Sequence, residues 1–92
     1  MRIRWTEPAA RDLTQIADYL EKHGSGATAR RVALSINKRI GGLTRFPEQG
    51  RTGRKSGTRE LVLTDLPYLV VYRLGGDSIE ILRILHGAQM WP

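Results

Sequence analysis

The sequence contains no cysteine and only two histidines, His23 and His86. Without thiols neither a disulfide framework nor a thiolate zinc site can form, and two histidines are too few for a convincing metal site. We therefore expect no metal and no other cofactor. No apolar run approaches the length of a membrane span, and the first five residues contain no apolar signal region. These absences predict a cytoplasmic protein with no membrane partner.

Acidic residues are also scarce. Nine Asp and Glu stand against fifteen Lys and Arg, which gives a net charge of +6 and an isoelectric point of about 10.5. This excess favours an anionic partner, either nucleic acid or an acidic protein, without identifying it. A chain of 92 residues predicts one domain, residues 1–92. Its core should bury roughly 60–65% of the unfolded surface, so binding of a partner would add usefully to a marginal stability.

The first third of the chain predicts a strand followed by a helix. Polar and apolar residues alternate from Arg2 to Trp5, as in a short strand. Thr6 is a good N-cap for a helix that ends near His23, and Gly24 is expected to stop it in the left-handed conformation.

A second helix is predicted after Ser25-Gly26, and Phe46-Pro47 closes it. Its apolar residues recur at helical spacing, and only a few residues connect it to the first helix. The two helices should therefore form an antiparallel hairpin. Residues 47–57 show no periodicity and predict a surface loop.

Three strands are predicted in the last third, at about Thr58–Leu63, Tyr68–Leu74 and Ser78–Leu85. A turn centred on Gly76-Asp77 would place Arg73 opposite Glu80, and this ion pair favours that register. Regular alternation then sets Val71 against Leu82 and Leu69 against Ile84, on the same side of the sheet. The predicted fold is α+β: a short N-terminal strand and a helical hairpin packed on a small, mainly antiparallel sheet.

The predicted loop and the strand after it are rich in cations: Arg51, Arg54, Lys55 and Arg59. Arginine forks suit phosphate and carboxylate oxygens, so these four residues are candidates for binding a target. The glycines between them lack the order of a P-loop, which argues against nucleotide binding. The alternative is a solvated loop with no binding role.

Arg83 is a second candidate because strand alternation places it in line with Ile79 and Ile81, on an apolar face. A guanidinium there must reach past the sheet edge, pair with an acid, or line a functional cleft. Glu60 and Asp65 are the acids that we expect to be available for pairing.

His86 ends the last strand, and its ordinary pKa near neutrality suits a general acid or base. A structural role is the alternative for a single histidine at a strand end. No hydrolytic triad can be assembled around it. Trp91 is expected to fold back on the body of the protein as an anchor.

Several segments along the chain form a recognisable pattern: Trp5-Thr6, Ala10, Asp12-Leu13, Ile16, Tyr19, Phe46-Pro47-x-x-Gly50, Gly57-Thr58-Arg59-Glu60, Tyr68 to Arg73, Ile81 to His86, and Gly87-Ala88-x-x-Trp91-Pro92. Taken together, these segments resemble the RelE/ParE superfamily of bacterial type II toxins. The similarity extends over nearly the whole chain, and no single piece is specific by itself. The final segment is similar to the ParE-like, plasmid-stabilisation branch.

The resemblance implies a toxin that is neutralised by a cognate antitoxin. A C-terminal segment of the antitoxin would wrap around the toxin, and operator DNA would be bound through the antitoxin alone. ParE-like members inhibit DNA gyrase and are not known to break bonds. RelE-like members are endoribonucleases that cut mRNA on the ribosome.

The residues that match the ribonuclease groups are Arg59, Arg83 and His86, which would be catalytic in the RelE-like case alone. The lysine-rich helix and the C-terminal tyrosine of the ribonucleases are missing, so the resemblance favours gyrase poisoning. An interaction module without toxicity is a third alternative.

Overall fold

The computed structural model describes residues 1–87, 89 and 91, so the expectations for Ala88, Met90 and Pro92 lie outside the described residues. The predicted α+β class is confirmed. No helix in the described part of the chain is both long enough and apolar enough to cross a membrane. The elements are β1 (Arg2–Trp5), α1 (Glu7–His23), α2 (Gly26–Gly41), a 3-10 turn (Gly42–Thr44), β2 (Arg51–Thr52), β3 (Arg59–Val62), β4 (Tyr68–Gly75) and β5 (Ser78–His86).

Both helices begin at the predicted places because a hydroxyl caps each of them. The Thr6 side chain accepts from the Ala9 amide at 3.4 Å, and the Ser25 side chain accepts from the Thr28 amide at 3.1 Å. The expectation for Gly24 was wrong, since its φ of −137° is not left-handed. The chain must enter α2 immediately afterwards, and Gly24 takes a conformation with φ of −137° and ψ of −108° to do so. A Cβ there would lie 2.8 Å from the Leu20 carbonyl oxygen, so the close approach still requires glycine.

The sheet has five strands in the order β1-β5-β4-β3-β2, and all neighbours are antiparallel except β1 and β5. The helical hairpin covers one face, where residues such as Ile36, Tyr72, Ile79 and Ile81 are fully buried. A smaller apolar cluster of Leu69, Val71 and Leu85, with Leu82 and Trp91 against it, lies on the other side. We call this second surface the helix-free face.

Part of the predicted loop is a strand. Arg51–Thr52 forms β2, which pairs with β3 so that Arg51 lies opposite Glu60. A strand of two residues has no periodicity to detect, and its pairing depends on a residue nine positions away. β3 is shorter than predicted, because Thr58 and Leu63 fall outside it.

The register at the turn is as predicted, with Arg73 paired to Glu80. Further along the strands the prediction was wrong. A bulge between Val71 and Tyr72 pairs Val71 with Arg83, and it pairs Leu69 with Leu85. The extra residue in β5 occurs where β1 ends, since Trp5 pairs with Ile81. It breaks the strict alternation of β5 and brings Arg83 to the free edge of that strand.

Candidate functional site

Arg83 at this edge forms a two-pronged ion pair with Asp12 of α1. Its Nε donates to Asp12 Oδ2 at 2.7 Å and its Nη2 donates to Oδ1 at 3.0 Å. The hydrogen bonds to Asp12 raise the pKa of Arg83 above its ordinary value despite partial burial, so it stays cationic. The expectation that Glu60 or Asp65 would supply the acid was wrong.

Asp12 also binds the backbone of β5. The Ile84 amide donates to Asp12 Oδ2 at 2.9 Å, and the Thr6 hydroxyl donates to the Ile81 carbonyl at 2.7 Å. Side chains of α1 and of its N-cap thus supply hydrogen-bond partners to the backbone groups of β5 that β1 leaves unpaired. A signal for Asp12 was present in the sequence: Ala9, Asp12 and Ile16 follow the spacing of the apolar stripe, so a charge on that stripe required a partner.

A cleft of about 500 Å³ opens between α1 and the end of β5. We call it the α1–β5 cleft. Tyr68 packs edge-on against the His86 ring at 5.9 Å between centroids. Burial raises the pKa of Tyr68, so its hydroxyl stays protonated at neutral pH and can donate but not act as a base. The lining residues with polar groups are Asp12, Gln15, Tyr19, Tyr68, Arg83, His86 and Gln89.

The predicted target-binding arginines Arg51 and Arg54 converge on one buried acid, Glu60, whose side chain is 3% exposed. Arg51 donates to Glu60 Oε1 from Nε at 3.1 Å and from Nη2 at 2.9 Å. The Arg54 amide donates to Oε2 at 3.3 Å. Lys55 is exposed and forms no ion pair with any other described residue. Both arginines remain about half exposed, so each still presents charge to solvent.

Arg59 has a different environment. Its Nη1 donates to the Gly50 carbonyl at 2.8 Å and to the Glu48 carbonyl at 3.2 Å. Tyr72 holds the same loop, because its hydroxyl donates to the Pro47 carbonyl at 2.7 Å and accepts from the Gly50 amide at 2.8 Å. Burial raises the pKa of Tyr72, which keeps this hydroxyl protonated. The segment 46–50 is therefore fixed from two sides.

The structure brings some of the predicted residues together and separates others. Arg83 and His86 share the α1–β5 cleft, and His86 also borders a neighbouring hollow of about 550 Å³ with Arg51 and Arg54. Arg59 lines neither of these spaces. Within the described residues, no group of three His, Asp or Glu side chains is placed to hold a metal ion.

Trp91 packs against the apolar cluster of the helix-free face, as predicted, and its carbonyl accepts a 3.5 Å hydrogen bond from Arg54. Near the opposite end of this face, Glu80 is buried and pairs with both Arg4 and Arg73. The helix-free face therefore carries two buried glutamates, and each is bound by two arginines.

Glu60 predicts a pH dependence of stability. Burial pushes its pKa upward, but the hydrogen bonds and charges of Arg51 and Arg54 outweigh this and lower the pKa below 4.5. A carboxylate with a lowered folded pKa contributes stability that is present above the unfolded pKa and is lost as pH falls through the folded value. We expect the stability difference between wild type and Glu60→Gln, measured by urea unfolding, to be constant near pH 7 and to shrink below about pH 4.5.

Glu21→Gln is the matched control, because Glu21 is exposed and forms no ion pair with a described residue. Its stability should follow that of the wild type across the whole pH range. A difference for Glu60→Gln that stays constant down to pH 3 would contradict the lowered pKa.

Comparison with known proteins identifies the family to which this fold and sequence are similar. The model of the family described as "ParE toxin of type II toxin-antitoxin system, parDE" matches residues 3–91. "Putative toxin Y4kP" of Sinorhizobium fredii (strain NBRC 101917 / NGR234) is 47% identical over 91 residues, which cover 99% of this chain and 93% of the relative. "Toxin RelE2" of Caulobacter vibrioides (strain ATCC 19089 / CIP 103742 / CB 15) is 35% identical over 89 residues, or 97% and 98% of the two chains.

A solved structure described as "Chromosomal ParDE TA system from P. aeruginosa" superposes with a TM-score of 0.88 at 31% identity, covering 94% of this chain and 95% of that chain. The predicted resemblance is confirmed by these matches in family, sequence and fold. The chain belongs to the ParE toxins of type II toxin-antitoxin systems, within the RelE/ParE superfamily.

Proposed function

We propose that this toxin arrests growth by binding and inhibiting DNA gyrase, without cleaving RNA, and that a cognate antitoxin neutralises it. The observation that carries the proposal is that the guanidinium groups of Arg59 and Arg83 are both hydrogen-bonded to other groups of the toxin itself. Arg83 is bound to Asp12 through two hydrogen bonds, and Arg59 is bound to the backbone carbonyls of Glu48 and Gly50.

RNA cleavage needs cations that bind the phosphate as its charge develops, together with a group that moves the proton of the 2′-hydroxyl. In the α1–β5 cleft the charge of Arg83 is balanced by the carboxylate of Asp12. Arg59 lines neither that cleft nor the hollow beside it. His86 is thus separated from one of the two arginines that the ribonuclease hypothesis assigns to it.

The surface also suits a protein target. Arginine and tryptophan are enriched among the residues that dominate protein interfaces. On the helix-free face Arg51 and Arg54 are about half exposed, and the partly buried Trp91 lies beside them. The buried Glu60 holds these arginines in place, which lowers the entropy lost when they bind an acidic surface.

The second candidate is ribosome-dependent mRNA cleavage. The observation in its favour is the α1–β5 cleft itself, where Arg83, Tyr68 and His86 line one space of about 500 Å³. In such a mechanism His86 would move the proton, and Tyr68 would donate a hydrogen bond to the phosphate.

Purified toxin should inhibit negative supercoiling by gyrase, and His86→Gln should inhibit it equally, because the imidazole is not required to bind a protein. The measurement is a plasmid supercoiling assay with increasing toxin, combined with pulse labelling after induction to show whether DNA or protein synthesis stops first. Unimpaired supercoiling at large toxin excess, with cuts inside translated codons that His86→Gln abolishes, would replace the proposal with the ribonuclease.

The antitoxin half of the proposal is supported by the superposition on a chain of a ParDE system. Operator DNA would be contacted by the antitoxin, and the toxin would act in the cytoplasm, where gyrase is found. Co-expression of the cognate antitoxin should restore growth. Cells that grow normally when the toxin is induced alone would favour the interaction module without toxicity.

A further inference from the structure

The outer surface of α2 carries a row of cations. Arg30, Arg31 and Lys38 are all exposed, and the helix contains no Asp or Glu. At 3.6 residues per turn these positions lie on the side of α2 opposite its buried apolar residues. Leu34 lies among them and is 62% exposed. We call Arg30, Arg31, Leu34 and Lys38 the α2 outer stripe.

The cations of this stripe differ from the arginines of the helix-free face. There, the buried Glu60 and Glu80 each bind two arginines, so part of the positive charge is balanced within the protein. Across residues 1–87, 89 and 91, no acid forms an ion pair with any cation of the α2 outer stripe. The stripe therefore presents its positive charge to solvent without an acid to balance it.

The spacing of these cations suits the backbone of duplex DNA. Arg31 and Lys38 are nearly two helical turns apart, which separates them by about 10 Å along the helix axis. The major groove of B-DNA is about 12 Å wide, so the two side chains can contact phosphates on both of its walls. Arg30 lies beside Arg31 and adds a further contact. A basic row along one helix is the electrostatic footprint of a nucleic-acid-binding surface.

The composition of the stripe argues against other anionic partners. Single-stranded nucleic acid binds to aromatic side chains that stack on its bases, and the stripe contains no aromatic residue. The centres of protein interfaces are rich in aromatic residues and poor in lysine. The single exposed Leu34 offers too little apolar surface for insertion into a lipid membrane. The phosphates of a duplex are the partner that cations alone can bind.

We propose that the α2 outer stripe binds the phosphate backbone of duplex DNA without sequence preference. The inference goes beyond the inhibition of gyrase and concerns the toxin by itself, whereas recognition of an operator sequence stays with the antitoxin. Non-specific binding of this kind lets a protein slide along DNA. It would bring the toxin to gyrase on the DNA that gyrase acts on.

The test is fluorescence anisotropy of a labelled, mixed-sequence DNA duplex of about 30 base pairs, titrated with purified toxin between about 20 and 150 mM salt. With three cations on phosphates, the logarithm of the association constant should fall against the logarithm of the salt concentration with a slope of about −2.7. The double variant Arg31→Gln and Lys38→Gln should reduce this slope to about −0.9 and weaken binding by more than about tenfold at the lowest salt.

The double variant Arg2→Gln and Lys55→Gln is the matched control. It removes the same charge from two exposed residues outside α2, and neither forms an ion pair with a described residue. It should keep the slope near −2.7, with less than about a threefold loss of affinity, because salt screens charges that lie away from the contact.

Leu34→Lys tests the same surface by a gain of binding, which unfolding cannot mimic. It adds a fourth cation to the stripe at an exposed position, so it should tighten binding and steepen the slope to about −3.6. Val62→Lys adds the same charge to an exposed residue of β3, and it should leave the slope unchanged.

Equal effects of the two double variants would show that overall charge, and not the stripe, binds DNA, and would overturn the inference. The absence of duplex binding at the lowest salt would also overturn it. So would tighter binding of an oligo-dT single strand of the same length, or of phosphatidylglycerol vesicles. These outcomes would leave the gyrase proposal standing. A toxin that binds duplex DNA through the stripe but does not impair supercoiling would remove the proposed function and keep this inference.

Discussion

Replacing Asp12 with alanine should destabilise the protein by about 3 kcal/mol, at the lower end of the range for breaking a buried ion pair. The carboxylate has three hydrogen bonds to lose, two from Arg83 and one from the Ile84 amide. The buried amide would be left without its acceptor, whereas Arg83 is about one third exposed and would recover part of its hydration. The measurement is the free energy of unfolding in urea.

Asp18→Ala provides the control, because Asp18 lies on the same helix, is exposed and forms no ion pair with a described residue. It should change stability by less than about 0.5 kcal/mol. A similar loss in both variants would show that helix propensity or net charge, and not the Arg83 pair, explains the effect.

The expected loss of stability decides which variants can test for catalysis. A loss of stability of this size is a large part of the 5–15 kcal/mol that holds a typical domain together. A loss of toxicity in an Asp12 or Arg83 variant would therefore report unfolding before it reports catalysis. His86→Gln is the better test of chemistry, because His86 is exposed at the end of β5.

Gly50→Ala should also destabilise the protein, by about 1–3 kcal/mol, through overpacking. A Cβ at this position would lie 2.7 Å from Tyr72 Cε1, 2.8 Å from the Tyr72 hydroxyl and 3.0 Å from the backbone carbon of Glu60. The ring cannot move away without losing its hydrogen bonds to the Gly50 amide and the Pro47 carbonyl. Thermal unfolding of the variant is the measurement.

The same substitution at Gly41 should have the opposite effect on stability. Gly41 is the last residue of α2, and a Cβ there meets no atom within 4 Å. Alanine restricts the unfolded chain more than glycine does, so Gly41→Ala should stabilise the protein by up to about 1 kcal/mol. Equal effects at the two positions would contradict the close packing at Gly50.

The starts of the two helices, the end of α1 and the register beside the hairpin turn could be predicted because their causes are local. The end of α2 was predicted wrongly, because α2 ends at Gly41 and a 3-10 turn, Gly42–Thr44, precedes Phe46-Pro47. Thr6 and Ser25 cap helices that begin within one or two residues of them, and Arg73 and Glu80 flank one tight turn. The bulge in β5 could not be predicted, because it arises where β1 ends and α1 takes over the strand edge. It changed the neighbours of Val71 and the position of Arg83.

The candidate site was predicted as a set of residues but not as an arrangement. The sequence indicated Arg51, Arg54, Lys55, Arg59, Arg83 and His86 by charge and strand parity. It could not show that Arg83 pairs with an acid 71 positions away, or that Arg51 and Arg54 share the buried Glu60. Charge patterns report which groups are present, whereas a pairing depends on which distant elements meet.

The sequence by itself determined the α+β class, the capped helical hairpin, the basic charge and the resemblance to RelE/ParE toxins, because each depends on periodicity, composition or short spacing. The tertiary structure alone decided that Arg59 and Arg83 support the fold, that the segment around Phe46 is fixed, and that no acid among the described residues pairs with the cations of the α2 outer stripe. These features depend on contacts between elements that are far apart in the chain, and such contacts form only when the sheet is assembled.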